Sequence, residues 1–232
     1  MKQARLARSA MLLVIGWLLA AGSVLARQPP PQQWAPDIAA FTAQDQTQAP
    51  PQHGVLFIGS SSIHAWTSLA TDFPGVPVIN RGFGGSAIAD STFYVDRIVT
   101  PYHPRVIVMY AGDNDIAEGA TSAEVIHDFQ AFVARVRHDL PEAKIVYISI
   151  KPSIARENLW PQMHEANEGI AHWMKGKSGL RFVDIGPAMV DAQNHPRPEL
   201  LRADGLHMTP AGYAIWVNAL KPLLASYGFG AQ

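Results

Sequence analysis

Apolar runs of strand length alternate with apolar positions at helical spacing from Val55 to the C-terminus, and this alternation sets the expected fold. Val55-Leu56-Phe57-Ile58 is the first uninterrupted run, the pattern of a parallel strand covered on both faces. Gly59 ends it. Ser60-Ser61-Ser62 then lead into Ile63, Ala65, Trp66 and Leu69, whose spacing begins a short helix. A second run, Val76 to Ile79, is entered through Pro74-Gly75 and closed by Asn80, after which comes the glycine-rich loop Arg81-Gly82-Phe83-Gly84-Gly85-Ser86. A helical pattern covers Ile88 to Val99. The third run, Val106-Ile107-Val108-Met109, passes straight into Ala111-Gly112-Asp113-Asn114-Asp115.

Val125, Phe129, Phe132, Val133, Val136 and Leu140 predict a helix that Pro141 terminates. A fourth strand is expected over Lys144 to Ile150, closed by Pro152, and a helix around Met163, Ala166, Ile170 and Trp173. Leu180 to Ile185 is a weaker fifth strand. A final helix starts at about Pro210 with Thr209 as its cap and turns Tyr213, Trp216, Val217 and Leu220 inward. Five alternations of strand and helix predict an α/β fold: a three-layer, doubly wound parallel five-stranded sheet with helices on both faces. The common flavodoxin-like order 2-1-3-4-5 places a switch point between the first and third strands. The loops carrying Ser60 to Ser62, Gly82 to Gly85 and Gly112 to Asp115 should then converge on one crevice.

Ahead of this domain the pattern changes twice. Lys2, Arg5 and Arg8 precede an apolar run from Ala10 to Ala21, and Val24-Leu25-Ala26 fits a cleavage site ahead of Arg27. Residues 1–26 therefore read as a secretory signal peptide; the apolar run falls short of the roughly 20 residues that span a bilayer. A periplasmic or secreted product with no stable membrane anchor after cleavage is expected. Residues 27–52 are rich in Pro and Gln and read as a linker or lead-in. Within it, Trp34, Ile38 and Phe41 are spaced for one short helix that docks on the domain, which is taken as residues 53–232.

Composition narrows the chemistry. With 232 residues and a net charge of −1, the chain suits one domain with a sizeable core and carries no electrostatic footprint for nucleic acid. It has no cysteine, which removes disulfides, thiol catalysis and thiolate zinc sites. Read alone, the three serines serve equally as helix caps, and the glycine cluster as a turn. Its spacing is not G-x-G-x-x-G and it follows the second strand, so a dinucleotide-binding loop is discounted. A serine nucleophile needs a base and a group that orients the base. Asp204-Gly205-Leu206-His207 supplies both within one loop.

Gly59-Ser60-Ser61, the glycine loop at Gly85, Gly112-Asp113-Asn114-Asp115 and Asp204-x-x-His207 resemble, in order and spacing, the four blocks of the SGNH or GDSL hydrolase superfamily. The resemblance covers about residue 53 to the C-terminus. It implies a carboxylic-ester hydrolase needing no cofactor or metal. Ser61 would be the nucleophile, with its N–H also serving the oxyanion hole. Gly85 would supply a second N–H and Asn114 a side-chain amide; His207 would be the base and Asp204 its orienting carboxylate. The family usually has Asp where this chain has Ser60, which puts only local loop hydrogen bonding in doubt. Candidate substrates are acetylated carbohydrate, short-chain acyl esters or lysophospholipid.

Two rival readings stand beside this one. His164, Glu168 and His172 share a helical face at four-residue steps, the spacing of a metal-ligand set but more often a solvated stripe. A non-catalytic carbohydrate- or lipid-binding protein using the same crevice is the second. Lys151, Arg156 and Trp160 follow the fourth strand, a place from which they could line the acyl or alcohol side of the crevice; a loop Trp and Arg there more often serve packing and solvation, so they are left out of the site. Oligomeric state is not legible in the sequence.

Overall fold

A computed structural model describes residues 33–230; the expected signal peptide lies outside the described residues. The elements in chain order are α1 (Ala35–Thr47), β1 (Val55–Gly59), α2 (Ser61–His64), α3 (Leu69–Asp72), β2 (Val78–Gly82), α4 (Ile88–Phe93), α5 (Val95–Ile98), β3 (Val106–Tyr110), α6 (Asp113–Ala117), α7 (Ser122–Asp139), β4 (Lys144–Ile148), α8 (Trp160–Met174), β5 (Leu180–Val183), α9 (Gly186–Met189) and α10 (Pro210–Ser226). The five strands form one parallel sheet in the order β2-β1-β3-β4-β5, the expected one.

Successive strand residues point to opposite faces, and both faces are covered. Leu56, Ile58, Ile107, Met109, Ile145 and Tyr147 pack with residues of α4, α5, α7 and α8. Val55, Phe57, Val106, Val108, Tyr110, Val146 and Ile148 pack under α2, α3, α9 and α10. On that second face Trp66 stacks on Tyr213 with ring centroids 5.0 Å apart and meets Trp216 edge-on, so α10 seats against the segment that follows the serines.

Some boundaries differ from the sequence reading. β2 starts two residues later than expected and runs on through Asn80 and Arg81, because those polar side chains are partnered. Asn80 Nδ2 donates to the Ile63 carbonyl at 2.7 Å and Asn80 Oδ1 accepts from the Gly82 N–H at 2.9 Å. Arg81, buried, pairs with Asp45 of α1, and its Nε donates to the Tyr102 hydroxyl at 3.0 Å. The continuous helix expected from Ile88 to Val99 breaks at Tyr94 into α4 and α5. β4 and β5 end two residues early; past β4 the chain carries Lys151 to Tyr110 and Arg156 to Asn114, and past β5 the Ile185 N–H donates to Ser149 Oγ at 3.0 Å.

The lead-in is helical over Ala35–Thr47, where the spacing of Trp34, Ile38 and Phe41 predicts a short docking helix. Ile38 of α1 is buried, and Trp34 and Phe41 pack against the same core. The Asp45–Arg81 pair ties this helix to β2.

Candidate active site

Gly59, at the end of β1, sits in register with Gly82 of β2 on one side and Tyr110 of β3 on the other. Its φ is +133°, and a Cβ there would run into the Tyr110 carbonyl, so only glycine lets the chain turn off the sheet here. The Ser60 N–H then donates to that carbonyl at 3.0 Å, and α2 begins at Ser61.

Burial separates the three adjacent serines. Ser60 and Ser62 are buried, at 0% and 2% exposure, and the Ser60 hydroxyl has no partner among the described residues. Ser61 alone is partly exposed and faces a base: His207 Nε2 lies 3.0 Å from its Oγ. His207 Nδ1 lies 2.7 Å from Asp204 Oδ2. One imidazole therefore bridges a hydroxyl and a carboxylate, the orientation in which Nδ1–H donates to Asp204 and Nε2 accepts from Ser61.

The loop that carries this pair is rigid for local reasons. Asp204 Oδ1 accepts from the backbone N–H groups of Leu206 and His207, each at 2.9 Å. An antiparallel bridge joins Leu201 to Met208, and the Arg202 N–H donates to the His207 carbonyl at 2.7 Å. The hydrogen bond from His207 and those two backbone N–H groups hold the Asp204 carboxyl well below its ordinary range. Thr209 caps α10 directly after the loop, accepting from the Gly212 N–H at 3.3 Å.

The other expected site residues lie on two neighbouring loops. Gly85 has φ +78°, and a Cβ on it would lie 3.3 Å from the Trp34 ring of the lead-in. Ser86 Oγ donates to the carbonyls of Gly59, at 3.3 Å, and Phe83, at 2.9 Å, pinning the glycine loop against the end of β1. Asn114 Nδ2 donates to the Ser86 carbonyl at 3.0 Å. The loops after β1, β2 and β3 are thus joined by hydrogen bonds into one surface. Ser61 N–H is the first of its helix, where no intrahelical acceptor is available, and among the described residues the Gly85 N–H donates to no backbone carbonyl.

Lys151 and Arg156, expected as packing and solvation, belong instead to this surface. Lys151 is buried, its Nζ 3.5 Å from Asp113 Oδ2 and donating to the Tyr110 hydroxyl at 3.2 Å. Burial pulls its pKa down, and the Asp113 carboxylate opposes that. Arg156 places Nη1 3.1 Å from Asp113 Oδ2, and its Nη2 donates to Asn114 Oδ1 at 2.8 Å. The only signal in the sequence was position: two cations just beyond a strand's carboxyl end, where open α/β sheets bind ligands.

Asp115 fills a structural role. Its Oδ1 accepts from the Ile88 N–H at 3.0 Å, holding the start of α4, and burial pushes its pKa up to about 7. His164 and Glu168 make an exposed pair at 3.6 Å. Among the described residues no group of three or more metal-ligating side chains comes together.

The comparisons with known proteins decide the family. The family model of GDSL-like lipases and acylhydrolases matches residues 48–215. The chain belongs to that family. Membership carries the coarse statement of function, a hydrolase of ester bonds. Among solved structures, the chain is similar to a GDSL-like lipase from Bacteroides thetaiotaomicron at 20% identity and a TM-score of 0.71, covering 82% of this chain and 98% of that one. It is also similar to a carbohydrate esterase family 3 protein from Talaromyces cellulolyticus, at 17% identity and a TM-score of 0.58 over 75% and 96% of the two chains. A variant of an acetyl-xylooligosaccharide esterase from Geobacillus stearmophilus aligns at 16% identity and a TM-score of 0.58, over 75% and 94%. At these identities the GDSL acylhydrolase shares their fold. No curated protein matches the chain. No helix among the described residues is long and apolar enough to cross a membrane.

Proposed function

We propose that this GDSL acylhydrolase is a secreted serine esterase that cleaves carboxylic esters through Ser61, His207 and Asp204. The observation that carries the reading is the single imidazole lying 3.0 Å from the Ser61 hydroxyl and 2.7 Å from the Asp204 carboxylate. His207 Nε2 takes the Ser61 proton as Oγ bonds to the ester carbonyl carbon, and the carbonyl oxygen becomes an oxyanion. The N–H groups of Ser61 and Gly85 and the amide of Asn114 receive that charge. As the tetrahedral species collapses, the carbon–alkoxide bond breaks and His207 returns its proton to the leaving alcohol. Water, activated by the same imidazole, then releases the acid and restores Ser61.

Acetyl and other short acyl esters, including those of carbohydrates, are the favoured substrates. Several neighbours of the same fold carry names of acetyl or carbohydrate esterases. Residues 1–26 act as a signal peptide that delivers the mature enzyme to the periplasm or beyond, which mass measurement of the mature N-terminus checks.

The test is hydrolysis of 4-nitrophenyl acetate and its longer-chain homologues by wild type and Ser61→Ala, with and without chelator. Turnover that resists chelator, vanishes in the variant and falls with chain length is expected. Equal inactivity of both proteins on these and on acetylated oligosaccharides would favour a binding protein, and loss with chelator a metal hydrolase.

A further inference from the structure

We infer that Arg156 is a positioning residue of the oxyanion site, acting through Asn114 rather than on the substrate; this rests on the serine esterase reading above. An asparagine side chain has two nearly isosteric orientations with opposite hydrogen-bonding faces. In one, its N–H groups face the developing oxyanion; in the other, its carbonyl oxygen faces that charge and repels it. The two partners of Asn114 permit only the first.

The guanidinium of Arg156 carries donors and no acceptor, so the atom 2.8 Å from its Nη2 must be Oδ1. The Ser86 carbonyl is an acceptor only, so the atom 3.0 Å from it must be Nδ2. One Nδ2 hydrogen is then committed to Ser86 and the second is left for the substrate oxygen. Donation into Oδ1 also polarises the amide and makes that second N–H a stronger donor.

Arg156 is itself held. Its side chain is 17% exposed, and Nη1 lies 3.1 Å from Asp113 Oδ2, an oxygen shared with the Tyr110 hydroxyl at 3.1 Å and with buried Lys151. The Asp113 Oδ1 accepts from the Asn114 N–H at 3.1 Å, so one carboxylate orients both ends of the Arg156–Asn114 contact. The Arg156 backbone leaves the helical range, with φ −128° and ψ 25°, inside an otherwise 3₁₀ stretch.

A double-mutant cycle tests this, with kcat and KM measured on 4-nitrophenyl acetate for wild type, Arg156→Met, Asn114→Ala and the double variant. Arg156→Met is expected to lower kcat about 10- to 100-fold, the scale of losing an orienting partner, with KM nearly unchanged. Asn114→Ala should lose about 10²- to 10³-fold, and the double variant should be no slower than Asn114→Ala, because Arg156 has nothing left to orient. Losses that multiply, or an Arg156→Met effect confined to KM, overturn the inference and assign Arg156 to the substrate. If Arg156→Met does not fold, Arg156→Lys enters the same cycle with the same criteria. An inactive wild type, or a Ser61→Ala variant as active as wild type, would defeat the esterase reading instead.

Discussion

The two sides of the crevice that meet at Ser61 are built in opposite ways. Asp204 and His207 lie three residues apart on one loop, their side chains 48% and 29% exposed, and backbone N–H groups of that loop hold the carboxylate. Asn114 is buried and depends on Ser86, Asp113, Lys151 and Arg156, drawn from the loops after β2, β3 and β4. Near water a short loop with two N–H donors is enough to fix a carboxylate, because solvent already stabilises its charge. In the interior each charge needs a partner, so orienting one amide has recruited two cations and an anion. The imidazole–carboxylate pair therefore sits on the exposed side, and fixed charges and dipoles on the buried side.

The largest effect should come from the residue both sides share. Ser61→Ala is expected to cut 4-nitrophenyl acetate hydrolysis by at least about 10⁴-fold. Ser60→Ala, which deletes a buried hydroxyl without a partner among the described residues, should leave kcat within about twofold. A large loss in Ser60→Ala would mean that burial does not separate the three serines.

Next comes the exposed side. Asp204→Asn should lower kcat by up to about 10⁴-fold by favouring the wrong imidazole tautomer, without moving the urea midpoint appreciably. Because Asp204 is held well below its usual range, it stays ionised, and the wild-type rate profile should show no break from this carboxylate between about pH 4 and 8. A break that disappears in Asp204→Asn would count against the assigned contact.

On the buried side the same kind of change should instead be read in stability. Asp113→Ala strips Lys151 of its counter-charge in a site that is 1% exposed and is expected to cost about 3–5 kcal/mol in urea unfolding. If Asp113→Ala and Asp204→Ala destabilise equally, the contrast between the two sides fails.

The smallest effect sharpens the cost of buried charge. Burial raises Asp115 from 3.8 to about 7, so its neutral form is favoured in the folded state. The associated stability is fully present below about pH 4 and is lost as pH rises toward 7, where the folded protein must ionise a buried carboxyl. Asp115→Asn should therefore stabilise by about 1–3 kcal/mol at pH 8 and little at pH 4, since the amide oxygen can still accept from Ile88. A gain independent of pH would place its origin elsewhere.

The residues of the exposed side were legible because their relationship is local. Asp204 and His207 are near neighbours in sequence, and the three serines sit where an apolar run stops, although only the family resemblance singled out Ser61 among them. Arg156 was not. In sequence it is a cation in a polar loop of ordinary composition, 42 residues from the asparagine it contacts, and such residues usually face water. The extra length of β2 escaped for the same reason, since Asn80 and Arg81 end an apolar run by composition and continue the strand only because Ile63, Tyr102 and Asp45 satisfy them.

Periodicity, turn residues and apolar run length act over a few residues, and they determined five strands and both covered faces; the strand order and the converging loops followed once the common topology of alternating α/β sheets was added. Only the tertiary structure decided which of three serines meets the imidazole, which cations turn inward, and which way the Asn114 amide points. Those outcomes depend on burial and on partners dozens of residues away, where desolvation makes a charge or an amide adopt whatever contacts the completed fold offers.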